Sequence, residues 1–365
     1  MKNKKIAIKS PSPSQSSGVF PFDKRGTKKR IAIFYGGKLS KHLKMLKEAG
    51  KKLGVEVELV SYNQVMFQIP LSRCCGTSPF DKRGNNYDVI FFRTTGKHWE
   101  EVNLVLDWVK KHNPKCKIVD PLVEKGRPSD ACKAWQMVEL TKNNIEVPRT
   151  IYGSLWTLYE YMNNLSQNPN SKKQTNHNNQ ITISKLKSPS LRVSLFDKEG
   201  GVLSFPVILK GSGGDRGTNV FKIDNLKQLE EKVRELRKIE IEGGKRYMLQ
   251  EFIPNSGDYR ILVLGDKVLG AMKRTSQNFQ KEFRNNFSVG GKVEVVEIPE
   301  SIKKLAVKAA KVCGLLVAGV DVVYRDDDVK KPVIWEVNKG PQFWGFMEAT
   351  KIDVPKEIIK FLMNL

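Results

Sequence analysis

Two short segments near the C-terminus carry carboxylates at a spacing that suits a metal site. Residues Gly319–Tyr324 and Val333–Asn338 are rich in β-branched and aromatic residues and are separated by a polar run, which predicts a β-hairpin. In that hairpin Asp321 faces Glu336, and Asn338 shares the face of Glu336 because side chains alternate along a strand. Unpaired carboxylates on a half-buried face are costly, and a hard cation removes that cost. Oxygen-only ligands suit Mg²⁺ (or Mn²⁺), with a nucleotide phosphate completing the coordination shell.

The same register makes two further predictions. Tyr324 faces Val333, and Trp335 and Val337 point away from the face that carries Glu336. The plain alternative is that the carboxylate face simply points to water. The alternation of Trp335 and Val337 against the carboxylate favours the metal site.

A glycine-rich turn between two predicted strands is the second candidate. Pro206–Lys210 and Asn219–Ile223 have strand composition, and Gly211–Gly217 joins them. Glycines let backbone N–H groups approach phosphate oxygens and a serine adds a hydroxyl, so Ser212 and Gly213 are candidate phosphate contacts. The turn is not a Walker loop, because its lysine precedes the glycines and no Gly-Lys-Ser/Thr opens a helix. Alone, such a loop is more often a simple turn.

Composition narrows the class of protein and its partners. The chain has 365 residues and a formal net charge of +24, so an acidic partner is expected: a nucleotide, a nucleic acid or an acidic peptide. A basic surface that only keeps the protein in solution is the alternative. Five cysteines without metal-type spacing indicate reduced thiols and a cytoplasmic location. No apolar run approaches the length of a membrane span, so no membrane partner is expected.

The order of predicted elements indicates an α/β domain over residues 28–125. Apolar strands alternate with helical segments there, which is typical of a parallel sheet. The strands are expected at Arg30–Tyr35, Val55–Val60, Tyr87–Phe92 and Cys116–Val119.

A repeated hexapeptide marks segments that interrupt this pattern. Pro21–Gly26 recurs as Pro79–Gly84, and Leu195–Gly200 is a looser copy. The spacing is irregular, so the copies are not a solenoid repeat. We interpret them as translated palindromic DNA insertions, tolerated because surface loops accept extra length cheaply. The chain is therefore expected to have a disordered lead-in and two inserts or loops, at residues 1–27, 72–85 and 163–201.

Beyond residue 205 the order of motifs resembles the ATP-grasp superfamily. The motifs are a strand lysine, the glycine-rich hairpin loop, Gln-Glu-Phe-Ile, Asp-x-Arg, Phe-Arg-x-Asn, Val-Ala-Gly-Val-Asp and Glu-Val-Asn. Within the superfamily the chain looks most like the RimK-type carboxylate–amine ligases of the glutamate ligase type. The resemblance implies an α+β ATP-grasp fold over residues 126–365, with two subdomains gripping ATP after the N-terminal α/β domain.

The resemblance also implies roles at the nucleotide. Lys133 and Lys210 would contact ATP phosphates. Glu251 and Phe252 would lie beside adenine on the segment that links the two subdomains, and Asp258 would lie near the ribose. A nucleotide-contacting segment is implied at Arg284, Asn285 and Asn286.

Further implied roles concern the reaction. Asp321, Glu336 and Asn338 match the family's Mg²⁺ ligands, and Arg260 and Arg274 match arginines near the reacting groups. The family activates a carboxylate by γ-phosphoryl transfer to an acyl phosphate, which an amine then attacks. Such chemistry needs mainly positioning and charge neutralisation. The implied partners are ATP, an amino acid and a carboxylate acceptor, such as an acidic peptide or a protein terminus.

The chain departs from the family pattern at two places. The segment Lys339–Gly345 replaces a small residue followed by Ser, Pro and Gly, and Lys273 stands where RimK enzymes tend to have an acidic residue. Both changes add positive charge, which predicts an acidic or multi-carboxylate substrate.

Two alternatives stay open. One is a small-molecule peptide ligase of the same superfamily, of the glutathione or D-Ala-D-Ala ligase type. The other is a catalytically silent ATP- or RNA-binding module, to which the basic charge gives some weight. No aromatic–basic motif of the RNA-binding type supports it, so nucleic acid is not favoured. A homo-oligomer is also left open.

Overall fold

The computed structural model describes eight stretches of the chain. They are residues 28–66, 87–96, 98–126, 133–167, 202–211, 219–244, 246–275 and 292–365. The predicted lead-in and the insert at 72–85 lie outside these residues, as does most of the predicted segment at 163–201.

The first layer is the predicted parallel α/β unit. Its four strands are parallel in the order β2-β1-β3-β4, and the two central strands, β1 and β3, are apolar and buried on both faces. The elements are β1 (Arg30–Tyr35), α1 (Lys41–Lys52), β2 (Glu56–Ser61), β3 (Val89–Phe92), α2 (Trp99–His112), β4 (Lys117–Ile118) and α3 (Pro121–Glu124).

A second, antiparallel sheet follows, in the order β5-β8-β6-β7. Helices α5 and α6 pack against each other and share an apolar core with this sheet. The elements are α4 (Lys133–Lys142), β5 (Thr150–Gly153), α5 (Leu155–Gln167), β6 (Val207–Gly211), β7 (Val220–Ile223), α6 (Leu226–Gly243) and β8 (Tyr247–Glu251). Helix α5 runs four residues past Asn163, so the start of the segment expected as an insert or loop is helical.

The third sheet is also antiparallel, in the order β11-β10-β9-β12-β13. Its most buried strand is β12, every residue of which is buried. The elements are β9 (Asp258–Leu264), β10 (Lys267–Thr275), β11 (Lys292–Val296), α7 (Glu300–Val312), β12 (Val317–Tyr324), β13 (Pro332–Lys339), α8 (Trp344–Thr350) and α9 (Val354–Met363).

The C-terminal helix closes the core of the N-terminal layer. Ile358 and Leu362 of α9 are fully buried in the same apolar cluster as Ile31 of β1 and Leu46 of α1. The first and last helices of the described chain therefore pack together, although they are distant in sequence. None of the helices that the structure describes is both long and apolar enough to cross a bilayer.

The hairpin β12–β13 forms as predicted, with one error of register. Asp321 pairs with Glu336, but beyond that pair a β-bulge shifts the register, so Tyr324 pairs with Pro332 and not with Val333. Trp335 is the extra residue of the bulge. Two residues of a bulged strand oppose one on the partner, which breaks strict alternation.

Candidate active site

Three oxygen-bearing side chains meet on one face of the β12–β13 hairpin. Asp321 lies directly opposite Glu336, and Asn338 lies opposite Gly319. The Asn338 amide donates a hydrogen bond from Nδ2 to Asp321 Oδ2 at 3.1 Å. Oxygen-only donors in this arrangement fit a hard divalent cation. Within the described stretches no cluster of three or more His, Cys, Asp or Glu could hold a metal, so the set needs the Asn338 amide as its third donor.

The bulge changes what else lines this face. Trp335 packs with Val323, which follows Asp321 by two positions and so shares its face of β12. The prediction that Trp335 points away from Glu336 is therefore wrong, because the extra residue places both on one side. Val337 does point away, into the core beneath α7.

Behind the hairpin lies a buried network that we call the acid–arginine quartet: Asp258, Arg260, Arg274 and Asp321. Strand pairing places Arg260 beside Asp321, and Arg274 beside Asp258. Arg274 donates to both oxygens of Asp258, from Nε at 2.8 Å and from Nη2 at 2.5 Å, and its Nη2 also lies 3.2 Å from Asp321 Oδ1. Arg260 donates from Nε to Asp321 Oδ1 and from Nη2 to Oδ2 at 2.8 Å.

Burial and pairing set the charges of the quartet. Burial opposes ionisation of Asp321, but the guanidinium groups of Arg260 and Arg274 outweigh it and lower the pKa of that carboxyl. Burial dominates at Asp258 and raises its pKa, against the pull of Arg274. Burial likewise disfavours the charge on Arg274, yet Asp321 and Asp258 together raise its pKa. Two acids and two arginines thus meet in one network, in which Asp258, Arg274 and Asp321 are buried and Arg260 is partly exposed.

Two lysines from separate elements approach the same hairpin. Lys133, the first residue of α4, places Nζ 3.0 Å from Glu336 Oε1, and Lys210 near the end of β6 places Nζ 5.4 Å from the centre of the Trp335 ring. Burial raises the pKa of Glu336, but the charges of Lys133 and Lys210, with the hydrogen bond from Lys133, together outweigh it and the net pKa is lowered. Burial, helped by the charge of Lys133, lowers the pKa of Lys210 to about 8 against the opposing pull of Glu336.

The site therefore holds more positive than negative charge. Its cations are Lys133, Lys210, Arg260 and Arg274, and its carboxylates are Asp258, Asp321 and Glu336. A net positive, partly desolvated face suits a polyanion such as a nucleotide triphosphate. The predicted ribose contact, Asp258, has its carboxylate engaged by Arg274, and that role stays a prediction.

The predicted adenine segment lies where the resemblance implies, between the second and third sheets. Strand β8 ends at Glu251 and β9 begins at Asp258, so residues 252–257 connect the two sheets. The carboxylate of Glu251 is engaged by two arginines: Arg325 donates at 2.6 and 3.1 Å, and Arg149 at 3.3 and 3.2 Å. Burial opposes its ionisation, but these arginines lower the pKa of Glu251 to about 2. Its side chain thus ties β5 and β8 to the end of β12.

Phe252 is the second predicted adenine contact, and it lies beside a lysine of β7. Lys222 Nζ lies 5.0 Å from the centre of the Phe252 ring, and the adenine role of both Glu251 and Phe252 stays a prediction. Five predicted nucleotide contacts lie outside the described residues: Ser212, Gly213, Arg284, Asn285 and Asn286.

Sequence reasoning missed a link between the end of β13 and the N-terminal layer. Arg93, which directly follows the apolar strand β3, is buried and donates from Nη2 to the Gly340 carbonyl at 2.8 Å. Lys339 Nζ lies 3.4 Å from Thr95 Oγ1 in the same loop. The sequence did carry one signal for this link. Arg93 is a charged residue at the carboxyl end of a parallel strand, which is where ligands of open α/β sheets bind.

Comparison with known proteins identifies the class. Residues 175–362, about half of the chain, match the model of the RimK-like ATP-grasp domain, and this region contains every predicted site residue except Lys133. The chain belongs to the RimK-like ATP-grasp family.

Two curated relatives show which kind of protein this chain is similar to in sequence. A probable alpha-L-glutamate ligase of Syntrophotalea carbinolica is 36% identical over 170 residues, which cover 46% of this chain and 52% of that protein. A protein of the same name from Halorhodospira halophila is 39% identical over 159 residues, covering 43% and 50%. The match thus spans about half the length of these relatives.

Solved structures agree on the fold. The ATP-grasp ligase PsnB, complexed with a phosphomimetic variant of its minimal precursor, Mg and ADP, has a TM-score of 0.59 to this chain at 16% identity. The superposition covers 92% of this chain and 97% of PsnB. The predicted ATP-grasp architecture is confirmed.

Proposed function

We propose that this protein is an ATP- and Mg²⁺-dependent carboxylate–amine ligase, which joins an amino acid such as glutamate to a peptide, a protein or a small acidic acceptor. One observation carries the proposal: lysines from α4 and β6 converge on the hairpin face that bears Asp321, Glu336 and Asn338. Oxygen donors beside lysine side chains form a site for a metal-bound phosphate chain. Family membership supports this reading.

Nucleotide binding falls to the two lysines. Lys133 begins α4 and Lys210 lies near the end of β6, so the two lysines approach the hairpin from separate elements. Both can therefore contact one phosphate chain that lies along the hairpin. The fit of the metal is supported by the oxygen-only donor set of Asp321, Glu336 and Asn338. Bound there, Mg²⁺ would neutralise charge on the phosphate oxygens. The PsnB complex with Mg and ADP supports the same cofactors for this chain.

A carboxylate does not react with an amine unaided, so the proposed reaction first activates the carboxylate. A substrate carboxylate oxygen attacks the γ-phosphorus of ATP, which forms an acyl phosphate and releases ADP. The amine then attacks the acyl carbon, the C–O bond to phosphate breaks, and the amine loses a proton as the amide forms. Arg260 and Arg274 lie beside Asp321 and would offset the negative charge that develops in both steps.

The choice of substrates rests on the relatives' name as well as on the charge of the site. The relatives' name, probable alpha-L-glutamate ligase, supports glutamate as one of them. A positive site supports an acidic acceptor. A small-molecule ligase of the D-Ala-D-Ala type would instead turn over free amino acids with no peptide present.

Phosphate release from ATP tests the proposal. The purified protein, with Mg²⁺, is offered a panel of free amino acids and acidic peptides, beside Glu336→Gln and the matched control Glu300→Gln. Glu300 is an exposed glutamate on α7, and among the described residues it pairs with Lys303 on the same helix. Release that depends on an acceptor, is kept by Glu300→Gln and is lost by Glu336→Gln would support the ligase. ATP binding without release across the whole panel would count for the silent module.

A further inference from the structure

Helix α1 carries a stripe of lysines that contributes nothing evident to the fold. Of its twelve residues five are lysines, and each of these five is exposed, while Glu48 is its single acidic residue. Leu43 and Leu46 face the core on the opposite side. Lys44, Lys47 and Lys51 are spaced so that neighbours lie on one face, about 5–6 Å apart between Cβ atoms. We call these three, with Lys41 and Lys52, the α1 stripe.

The α1 stripe breaks two rules of helix stability. The first turn contains no acidic residue and begins with Lys41, although the positive end of the helix dipole favours carboxylates there. Lysines three and four positions apart repel one another. Both effects destabilise an isolated helix, and such local conflicts are expected where a surface serves function rather than folding.

A second lysine-rich helix shows the ordinary pattern. In α7 Lys303 pairs with Glu300 at 3.3 Å, Lys308 donates to the Asn143 carbonyl at 2.7 Å, and Lys311 pairs with Asp266. In α1, by contrast, Lys44, Lys47, Lys51 and Lys52 pair with no residue that the structure describes. Within the described residues three of the four lysines of α7 have partners, all but Lys304, whereas most lysines of α1 have none.

The stripe begins at a contact with the segment that follows β13. Lys41 Nζ lies 3.1 Å from the centre of the Trp344 ring, and His42 Nε2 accepts a hydrogen bond from the Trp344 N–H at 3.3 Å. Trp344 stands a few residues after Asn338, in the segment that also holds Lys339. From this contact α1 runs about 18 Å, the span of roughly five residues of extended peptide.

We infer that the α1 stripe docks an acidic polypeptide segment of the acceptor, whose end then enters the site beside Lys339. The inference rests on the proposed function, because only a ligase needs an acceptor held there. Lysines along one helix face match carboxylates spaced along an extended chain, and long exposed side chains adapt to a varying sequence. Bound carboxylates would also relieve the repulsion within α1.

An acidic peptide fits the α1 stripe better than a nucleic acid does. Recognition of single-stranded nucleic acid combines basic grooves with aromatic side chains on which bases stack. The exposed side of α1 offers no aromatic side chain for this, since its one aromatic residue, His42, packs edge-on against Phe343. No arginine is present in α1 to clamp a phosphate bidentately.

The test is peptide binding measured without ATP. Fluorescently labelled hexaglutamate is titrated with the full chain, the variant Lys44→Gln/Lys47→Gln/Lys51→Gln and the charge-matched α7 control Lys304→Gln/Lys308→Gln/Lys311→Gln, at low and moderate salt. Each lost lysine–carboxylate pair is worth about two- to fivefold, so the loss of three should weaken binding by the α1 variant at least about eightfold. The control should stay within about twofold of the unmodified chain.

The outcomes separate the docking inference from the proposed function. Equal weakening in both variants, or no binding of hexaglutamate, overturns the docking inference. So does a single-stranded RNA of equal charge that displaces the peptide and loses affinity only in the α1 variant. Peptide docking that depends on α1, without any phosphate release in the panel, overturns the ligase alone. The α1 variant should melt no lower than the unmodified chain, which distinguishes docking from a structural role.

Discussion

The acid–arginine quartet makes a quantitative prediction for Asp258→Asn. The substitution keeps the shape of the side chain but removes one negative charge from a network whose charges cancel. The Asp258 and Arg274 side chains are only 10% and 6% exposed, so water cannot replace the lost partner. Removing one partner of a buried pair typically costs 3–5 kcal/mol, and Arg274 keeps Asp321 at 3.2 Å. We therefore expect the free energy of unfolding to fall by about 3 kcal/mol, the lower end of that range.

Urea unfolding, followed by tryptophan fluorescence and far-UV circular dichroism, measures this loss. The double variant Asp258→Leu/Arg274→Met removes one charge of each sign and leaves the neutral pair Arg260–Asp321, so it should lose less stability than the single variant. Glu230→Gln breaks an exposed pair with Arg234 and should produce no measurable change. The reasoning fails if Asp258→Asn behaves like Glu230→Gln, or if the double variant is the less stable of the two.

Three further predictions concern single side chains. Glu251 has a folded pKa of about 2 and an ordinary value of 4.5, so stability should fall as pH drops from about 4.5 towards 2, and Glu251→Gln should lose that dependence in acid unfolding. Lys210 has a pKa of about 8 and loses its charge above that pH, so ATP affinity measured by calorimetry should weaken as pH rises through 8. The variant Lys210→Arg should flatten this dependence of ATP affinity on pH. An unchanged dependence in the variant would exclude Lys210 from the phosphates. Lys339→Glu should raise the KM for an acidic acceptor while the KM for ATP stays constant, and an unchanged acceptor KM would count against the acidic substrate.

The order of elements could be predicted because apolar periodicity is local. Alternating strands and helices gave the parallel layer, and β-branched runs gave β12 and β13, including the Asp321–Glu336 pairing. Other features depend on what meets in space. The packing of α9 against α1 joins the two ends of the described chain, and no window of sequence reports it. Strand β11 went unpredicted, although Lys292–Val296 alternates polar and apolar residues as a half-exposed strand does.

Some features of the candidate site could likewise be predicted from the sequence, and others could not. Its ligands could be proposed from residue type and strand alternation, and the structure brings Lys133, Lys210, Asp321 and Glu336 together. The arginines that engage Glu251 could not be proposed, since Arg149 and Arg325 lie far from it in sequence and carry no motif. A salt bridge between three elements is a property of their packing, which charge patterns in sequence do not encode.

The bulge at Trp335 explains why the one error of register lies next to the chemistry. Strict alternation would bury Trp335 in the core and leave the carboxylate face open to water. With the extra residue, the centre of the Trp335 ring instead lies 5.4 Å from Lys210 Nζ. The bulge thus places an aromatic ring beside a lysine whose pKa is lowered chiefly by burial. Bulges recur beside active sites because they re-aim a side chain, and here the departure from strict alternation lies on the face that carries the proposed metal ligands.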